Sequence, residues 1–263
     1  MEVSKKTIFI KDWILNYVNS TPKKVDSLVI GVSGGIDSAL TSTLCALTGL
    51  KTLCLNMPIR QQEKQFNRAS KHIKWLKNKY NNVNSINIDL TPFFEKFQST
   101  VDTNAEKSEL ALANSRSRMR MLTLYYYAGI NNSIVVGTGN KVEDFGIGFY
   151  TKYGDGGVDI SPVADLMKSE VFELSKHLKI NDDILNAPPT DGLWDDDRND
   201  EDQIGVSYKD LENIMLRLEK GEDPKGFSNK IKSYYEIYMR HHNANKHKMV
   251  EIPVCKIPSK LKL

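Results

Sequence analysis

The chain has 263 residues, of which 40% are hydrophobic and 26% are charged, a composition typical of a soluble globular protein with a sizeable core. The formal net charge of +3 gives no indication of nucleic-acid binding, and no apolar stretch is long enough to span a membrane. Cys45, Cys54 and Cys255 lack the spacing of a metal or redox site, and the N-terminal stretch lacks the pattern of a signal peptide. We therefore expect a cytoplasmic protein.

The first half of the chain alternates predicted helices with predicted strands. Apolar residues at helical spacing between Ile8 and Val18 predict an amphipathic helix. Buried strands are predicted over 27–32, 52–57, 86–90 and 133–137. Helices are predicted over 38–47, 61–80 and 105–128. The alternation predicts a doubly wound parallel sheet with helices on both faces, an α/β fold of Rossmann-like type, with its ligands beyond the carboxyl ends of the strands.

The second half of the chain is less regular. A loop rich in glycine and aspartate is predicted over 151–162, and a helix over 166–178. The acidic, proline-bearing stretch 186–205 is predicted to be irregular, and an amphipathic helix is predicted over 228–243. No linker or internal repeat interrupts the chain. We expect one domain over 1–263, with the N-terminal helix and the C-terminal helical segment packed on it.

A glycine turn, SGGIDS at 33–38, follows the first predicted strand and opens a helix. Such a turn presents free backbone N–H groups at the positive end of the helix dipole, which suits phosphate. The lysine of a Walker phosphate loop is absent, so the turn suits a leaving pyrophosphate better than a transferred γ-phosphate. Asp37 can face phosphate only through a cation, and we predict that it binds Mg²⁺. A plain strand-to-helix turn is the alternative interpretation.

The turn resembles the PP-loop of ATP pyrophosphatases, and later motifs select one branch of that family. NSRSRMRM, GTGNKVE, TKYGDGGVDISP, PPTDGLW and DEDQIGVSY occur in this order between Asn114 and Tyr208. Together they are similar to ammonia-dependent NAD synthetases, whose fold is of the adenine nucleotide α-hydrolase type. The resemblance implies ATP-dependent amidation of deamido-NAD to NAD through an adenylated carboxylate, with release of AMP and pyrophosphate, the last step of NAD biosynthesis. It also implies ammonia as nitrogen source, Mg²⁺ and a cytoplasmic homodimer, with no membrane or nucleic-acid partner.

The resemblance assigns site residues by position. Asp37 and Lys168 would be the catalytic pair, and Asp37 and Glu143 the metal carboxylates. The residues implied in ATP binding are Gly31, Val32, Ser33, Gly34, Gly35, Ile36, Asp37, Ser38, Thr138, Lys168 and Thr190. Those implied in deamido-NAD binding are Arg118, Lys152, Asp159, His247 and Lys248. One residue more than the family pattern stands near Gly146, and the acidic run from Trp194 is interpreted as a lid without metal ligands.

The predicted dimer interface combines apolar residues of the first and the long helix. These residues are Ile8, Trp13, Ile14, Tyr17 and Val18, then Met119, Met121, Leu122, Leu124, Tyr125, Tyr126 and Tyr127. We expect an isologous contact close to Arg118, with His247 a candidate contribution from the partner chain. Two other functions are consistent with a glycine turn alone. One is another PP-loop enzyme, such as a tRNA thiolase or a GMP synthetase subunit, and the other is a nucleotide sensor without catalysis.

Overall fold

The computed structural model describes residues 2–22, 24–101, 105–190, 192–193 and 199–262. The strands are β1 Ser27–Gly31, β2 Lys51–Asn56, β3 Val83–Asn87 and β4 Ser133–Val136. The helices are α1 Glu2–Ser20, α2 Ile36–Leu47, α3 Glu63–Lys79, α4 Thr91–Thr100, α5 Ala105–Ile130, α6 Lys168–His177, α7 Asp182–Leu185, α8 Asp200–Ile204, α9 Tyr208–Glu219 and α10 Asn229–Met249. No helix within the described residues is both long and apolar enough to cross a membrane.

The strands form one parallel sheet in the order β3-β2-β1-β4. The chain moves from β1 outwards to β2 and β3, then returns to place β4 on the other side of β1. The strand order therefore reverses between β1 and β4, which is where ligands bind in open α/β sheets. The predicted parallel sheet is confirmed.

Alternating residues of β1 face two separate cores. Leu28 and Ile30 pack with buried residues of α1, α2, α3 and α6, whereas Val29 packs with residues of α4 and α5. Side chains alternate between the faces of a strand, so the two groups of helices cover opposite faces of the sheet. The prediction of helices on both faces is also confirmed.

Exposed apolar residues lie on both α1 and α5, but on opposite sides of the sheet. On α1, Ile14 and Val18 are buried, while Ile8, Trp13 and Tyr17 are exposed. On α5, Met119 is buried and Leu122, Tyr125 and Tyr126 are exposed. The apolar surfaces of α1 and α5, which were predicted to form one interface, are therefore separated by the sheet. Arg118 lies on α5.

The predicted range of the third strand, 86–90, is wrong, and the helix that follows this strand was missed. β3 begins at Val83, three residues before the predicted start at Ile86, because its polar Asn84 and Ser85 lie at the exposed edge of the sheet. Helix α4 was not predicted, since Thr91-Pro92 was interpreted only as a stop for the strand. Proline is tolerated in the first turn of a helix, where its missing N–H costs nothing, and Thr91 N donates to the side chain of Asp89 at 2.9 Å.

The C-terminal helices form a further core beside the sheet. Buried residues of α9 and α10 pack with Val142 and Ile147 from a π-helical turn, Val142–Ile147, which follows β4. This turn lies where the sequence analysis predicts one extra residue, near Gly146, and a π turn contains one residue more than an α turn. It ends at Gly148, whose φ of 63° is left-handed. Helices α8 and α9 were not predicted, and α10 runs to Met249, beyond the predicted end at 243.

Candidate active site

A cavity of about 250 Å³ opens at the carboxyl ends of β1, β2 and β4. Three turns that follow these strands line it, beginning at Ser33, Asn56 and Gly137. All the residues predicted for ATP and metal binding line the cavity except Gly34. The prediction that these turns meet at one edge of the sheet is therefore confirmed.

Gly34 lies on the side of the glycine turn that packs against α3. Its φ of 87° is left-handed, and an added Cβ would lie 2.7 Å from the carbonyl oxygen of Gln65. Only glycine allows the turn to pack this closely against α3. Ser33 and Ser38 close the turn, with 3.1 Å between their hydroxyl oxygens, and Ser38 also donates to Gly35 O at 3.0 Å. The first amides of α2 lack intrahelical acceptors, and they are available to an anion in the cavity.

Lys168 joins the two predicted metal carboxylates. Its Nζ lies 2.7 Å from Asp37 Oδ2 and 2.8 Å from Glu143 Oε1, and the lysine side chain is only 5% exposed. Asn140 donates from Nδ2 to Asp37 Oδ1 at 2.9 Å. Lys168 is the first residue of α6, where the helix dipole disfavours a cation, so the two carboxylates must hold it there.

Tyr208 and Asp200 extend this network on the side of α8 and α9. The Tyr208 hydroxyl donates to Glu143 Oε1 at 2.6 Å and lies 3.2 Å from Asp200 Oδ2. Lys168 Nζ lies 4.8 Å from the centroid of the Tyr208 ring, within the range of a cation–π contact. Sequence reasoning missed Asn140, Tyr208 and Asp200 as site residues. The motifs GTGNKVE and DEDQIGVSY contain all three, so the signal was present.

Burial and ion pairing shift the pKa values of these groups in different directions. Burial raises the pKa of Asp37; Lys168 opposes this rise and Glu143 adds to it. Burial also acts to raise the pKa of Glu143, but Lys168 and Tyr208 outweigh it, so that this pKa lies below its ordinary value. Burial lowers the pKa of Lys168, yet the two carboxylates raise it further than burial lowers it. The lysine therefore stays charged, and it lies between the two carboxyl groups.

The donor set fits a magnesium ion that also binds phosphate. Asp37 and Glu143 converge on one cation, Lys168, and both carboxyl groups line the cavity. Within the described part of the chain, no group of three His, Cys, Asp or Glu residues could hold a metal ion. Mg²⁺ commonly uses one or two protein carboxylates, with phosphate and water completing its shell.

The residues predicted to bind deamido-NAD lie outside this cavity. Arg118 Nη2 donates to Lys152 O at 3.3 Å, and Lys152 Nζ donates to His247 O at 2.9 Å. Lys248 Nζ donates to Gly148 O at 2.6 Å, and burial lowers its pKa. These contacts bring α5, the loop after the π turn and the end of α10 into one basic surface.

Asp159 lies apart from that surface. Its Oδ2 accepts from Val135 N at 2.7 Å, and its Oδ1 accepts from the Tyr125 hydroxyl at 3.0 Å. Both carboxylate oxygens therefore hold the end of β4 against α5 in this structure.

The three arginines of NSRSRMRM point in different directions, as their alternation predicted. Arg116 is buried and donates to Leu193 O at 3.0 Å, whereas Arg118 is exposed. Arg120 lines the cavity and donates to Met57 O at 3.0 Å and to Gln61 Oε1 at 2.8 Å. Of these three arginines, Arg120 is thus the one that lines the cavity, which the sequence did not indicate.

Thr138 and Thr190 both line the cavity, and Thr190 accepts from Gly192 N at 3.3 Å. Gln61 Nε2 donates to Gly192 O at 3.3 Å, which ties this segment to the start of α3. The predicted lid begins just beyond it. Residues 194–198 of that lid lie outside the described residues, and its last part forms the start of α8.

Comparison with known proteins identifies relatives of this chain. The family model described as NAD synthase matches residues 7–250. The NH(3)-dependent NAD(+) synthetase of Methanosarcina acetivorans is 38% identical over 210 residues, which cover 78% of this chain and 79% of that protein. The solved structure of NMN synthetase from Francisella tularensis is 32% identical, with a TM-score of 0.78 over 98% of this chain and 97% of that one. NH3-dependent NAD synthetase from Campylobacter jejuni, in complex with the nitrate ion, is 25% identical, with a TM-score of 0.77 over 97% and 100%.

Proposed function

The chain belongs to the NAD synthase family, and on that premise we propose that it amidates deamido-NAD to NAD with ATP and ammonia. The observation that carries the proposal is the cavity in which the glycine turn, Asp37, Glu143 and Lys168 meet. A tRNA thiolase or a GMP synthetase subunit is not favoured, because the NAD synthase family model matches residues 7–250 and the synthetase of Methanosarcina acetivorans matches 78% of the chain.

Two substitutions make up the proposed reaction. An oxygen of the nicotinate carboxylate attacks the α-phosphorus of ATP, and the bond to the β-phosphate oxygen breaks to release pyrophosphate. Ammonia then attacks the carbonyl carbon of the acyl adenylate, AMP leaves with the bonding electrons, and the new amide loses a proton. The protein stabilises charge and excludes water, and it supplies no covalent nucleophile.

Different cavity residues bind different parts of ATP. Backbone N–H groups of Ile36 to Ser38, the first residues of α2, would face the phosphates, and Thr138 and Thr190 would contact the nucleotide. Lys168 carries a positive charge in the same cavity and offsets the negative charge that grows on the phosphates as pyrophosphate leaves. Asp37 and Glu143 would hold Mg²⁺, which when bound neutralises charge on the triphosphate.

The basic surface outside the cavity suits the second substrate. Arg118, Lys152 and Lys248 provide cations for a pyrophosphate or carboxylate, and His247 lies at the end of α10 beside them. Asp159 is proposed to contact the same substrate, after exchanging one of its present hydrogen bonds.

A second candidate substrate is the mononucleotide acid, whose amidation would give NMN. The observation that favours it is the likeness over 98% of the chain to a structure titled as an NMN synthetase. Both candidates use the same ATP cavity and differ only in the length of the molecule that carries the nicotinate.

One assay tests both candidates. The protein is incubated with ATP, Mg²⁺ and ammonium, with either deamido-NAD or nicotinate mononucleotide, and the amide, AMP and pyrophosphate are quantified. We expect the amide, AMP and pyrophosphate in equal amounts, with the higher kcat/KM for deamido-NAD. Release of ADP and orthophosphate, or no amide from either acid, would refute the proposed function. Glutamine in place of ammonium should support little turnover.

We further propose that residues 1–263 act as one domain in a cytoplasmic homodimer that forms through the exposed apolar face of α5. This helix also carries Arg118, so the second substrate would bind close to the two-fold axis. Light scattering during size-exclusion chromatography should give twice the monomer mass of 29.8 kDa. A fully active monomer would refute this assembly.

A further inference from the structure

Tyr208 has a single hydroxyl hydrogen and two carboxylate neighbours. The distance to Glu143 Oε1, 2.6 Å, is shorter than the 3.2 Å to Asp200 Oδ2, so the hydrogen lies towards Glu143. Lys168 donates to the same oxygen, Oε1, at 2.8 Å. Two donors at one oxygen fix the plane of the Glu143 carboxylate, and they thereby set the direction of its second oxygen.

The ring of Tyr208 is itself held rigidly. The residue is 6% exposed and packs with Val142 and Ile147 of the π turn and with Leu211 of α9. Its backbone N–H donates to Glu201 Oε1 at 2.8 Å at the start of α9. The ring cannot shift without disturbing this core. The hydroxyl is therefore a rigidly held donor, and its hydrogen bond restrains the Glu143 carboxylate.

Asp200 connects this point to the segment around the ATP cavity. Its backbone N–H donates to Pro189 O at 3.1 Å, next to Thr190, which lines the cavity. The Tyr208 hydroxyl therefore lies between Glu143 and the residue that is tied to the segment carrying Thr190.

We propose that Tyr208 is a positioning residue that holds the Glu143 carboxylate in the orientation needed to bind Mg²⁺ with ATP. This inference rests on the proposed function, since Glu143 is the metal carboxylate only in that mechanism. Tyr208 itself touches neither substrate nor metal. It acts through its hydrogen bond to Glu143, as partners of metal ligands commonly do.

The test compares Tyr208→Phe with Tyr238→Phe as a matched control. Tyr238 is 7% exposed and belongs to the same core as Tyr208, so both substitutions remove one hydroxyl from a buried tyrosine of that core. Calorimetry measures the Kd of α,β-methylene-ATP, which cannot be cleaved at the bond in question, in excess Mg²⁺ and again in EDTA. The Kd in EDTA divided by the Kd in Mg²⁺ reports how strongly the metal tightens nucleotide binding.

Tyr208→Phe should reduce this ratio by about 10-fold or more, the usual effect of losing a partner of a metal ligand. Its Kd in EDTA should stay close to that of the wild type, which also establishes that the nucleotide site is folded. Tyr238→Phe should leave the ratio unchanged. An unchanged ratio in Tyr208→Phe, or an equal reduction in the two variants, would overturn the inference.

The wild-type measurements separate this inference from the proposed function. If the wild type forms neither NAD nor NMN, the proposed function is wrong, whatever the ratio in the variants. If the wild type forms the amide and its ratio is insensitive to Tyr208→Phe, only the positioning role is wrong.

Discussion

Replacing Lys168 by methionine leaves the carboxylates of Asp37 and Glu143 facing each other without a cation between them. All three side chains are largely removed from water, with exposures of 5% for Lys168, 18% for Asp37 and 17% for Glu143. Solvent therefore screens the repulsion only in part. Removing one partner of a buried ion pair typically costs about 3–5 kcal/mol of unfolding free energy, and we expect Lys168→Met to fall in that range.

Lys141→Met provides the matched control. Lys141 also forms two ion pairs, with Asp165 at 3.2 Å and Glu219 at 2.9 Å, but its carboxylate partners are 98% and 47% exposed. Exposed pairs contribute at most about 1 kcal/mol each, so this variant should stay close to the wild type.

Urea unfolding followed by circular dichroism at pH 8 measures both variants, first in EDTA and then in Mg²⁺. Mg²⁺ should recover part of the loss in Lys168→Met, since for a Kd of about 1 mM a concentration of 10 mM stabilises the folded state by about 1.4 kcal/mol. The control should respond no more than the wild type, because Lys168 still pairs with both carboxylates in it. A loss below about 1 kcal/mol in EDTA would refute the argument that Lys168 balances two buried carboxylates.

Three further predictions concern the same face of the sheet. Asp37→Asn should lower kcat by about 100-fold or more and leave the Kd for deamido-NAD nearly unchanged, because that substrate is proposed to bind outside the cavity; kinetics and calorimetry measure the two effects. Gly34→Ala should cost about 1–3 kcal/mol of unfolding free energy, since alanine is strained at a φ of 87° and its Cβ meets Gln65 O, and it should weaken ATP binding as well. Burial lowers the pKa of His72 from 6.5 to about 4, so between these pH values the unfolded state takes up a proton that the folded state does not. Stability should therefore fall by about 3 kcal/mol as the pH drops from 6.5 to 4, and His72→Gln should lose this part of the slope in urea titrations.

The glycine turn and its aspartate could be predicted because the chemistry is local in sequence. A buried strand, two glycines and a helix start together indicate a phosphate site, and Asp37 needs a cation beside phosphate. Parallel pairing of β1 with β4 in the structure then brings Glu143 to the same edge.

The contacts of Tyr208 and Arg120 could not be predicted in the same way. Tyr208 reaches Glu143 across 65 residues, through a helix that was itself missed, and nothing in its local pattern indicates which acceptor the hydroxyl meets. Three arginines at alternate positions are equivalent in the sequence. Only the packing of α5 against Met57 and Gln61 turns Arg120 towards the cavity and leaves Arg118 outside it.

The π turn between Glu143 and the following loop also bears on how such a chain can change in length. Phe149 N donates to Glu143 O at 2.9 Å, so the turn closes on the carbonyl of the very residue whose side chain meets Lys168. The predicted extra residue near Gly146 falls inside this closed ring, downstream of β4 and upstream of Lys152. An insertion placed there lengthens the loop of backbone without moving either of the segments that it joins. Helix geometry thus acts as a spacer that absorbs a change in sequence length between two parts of one active site.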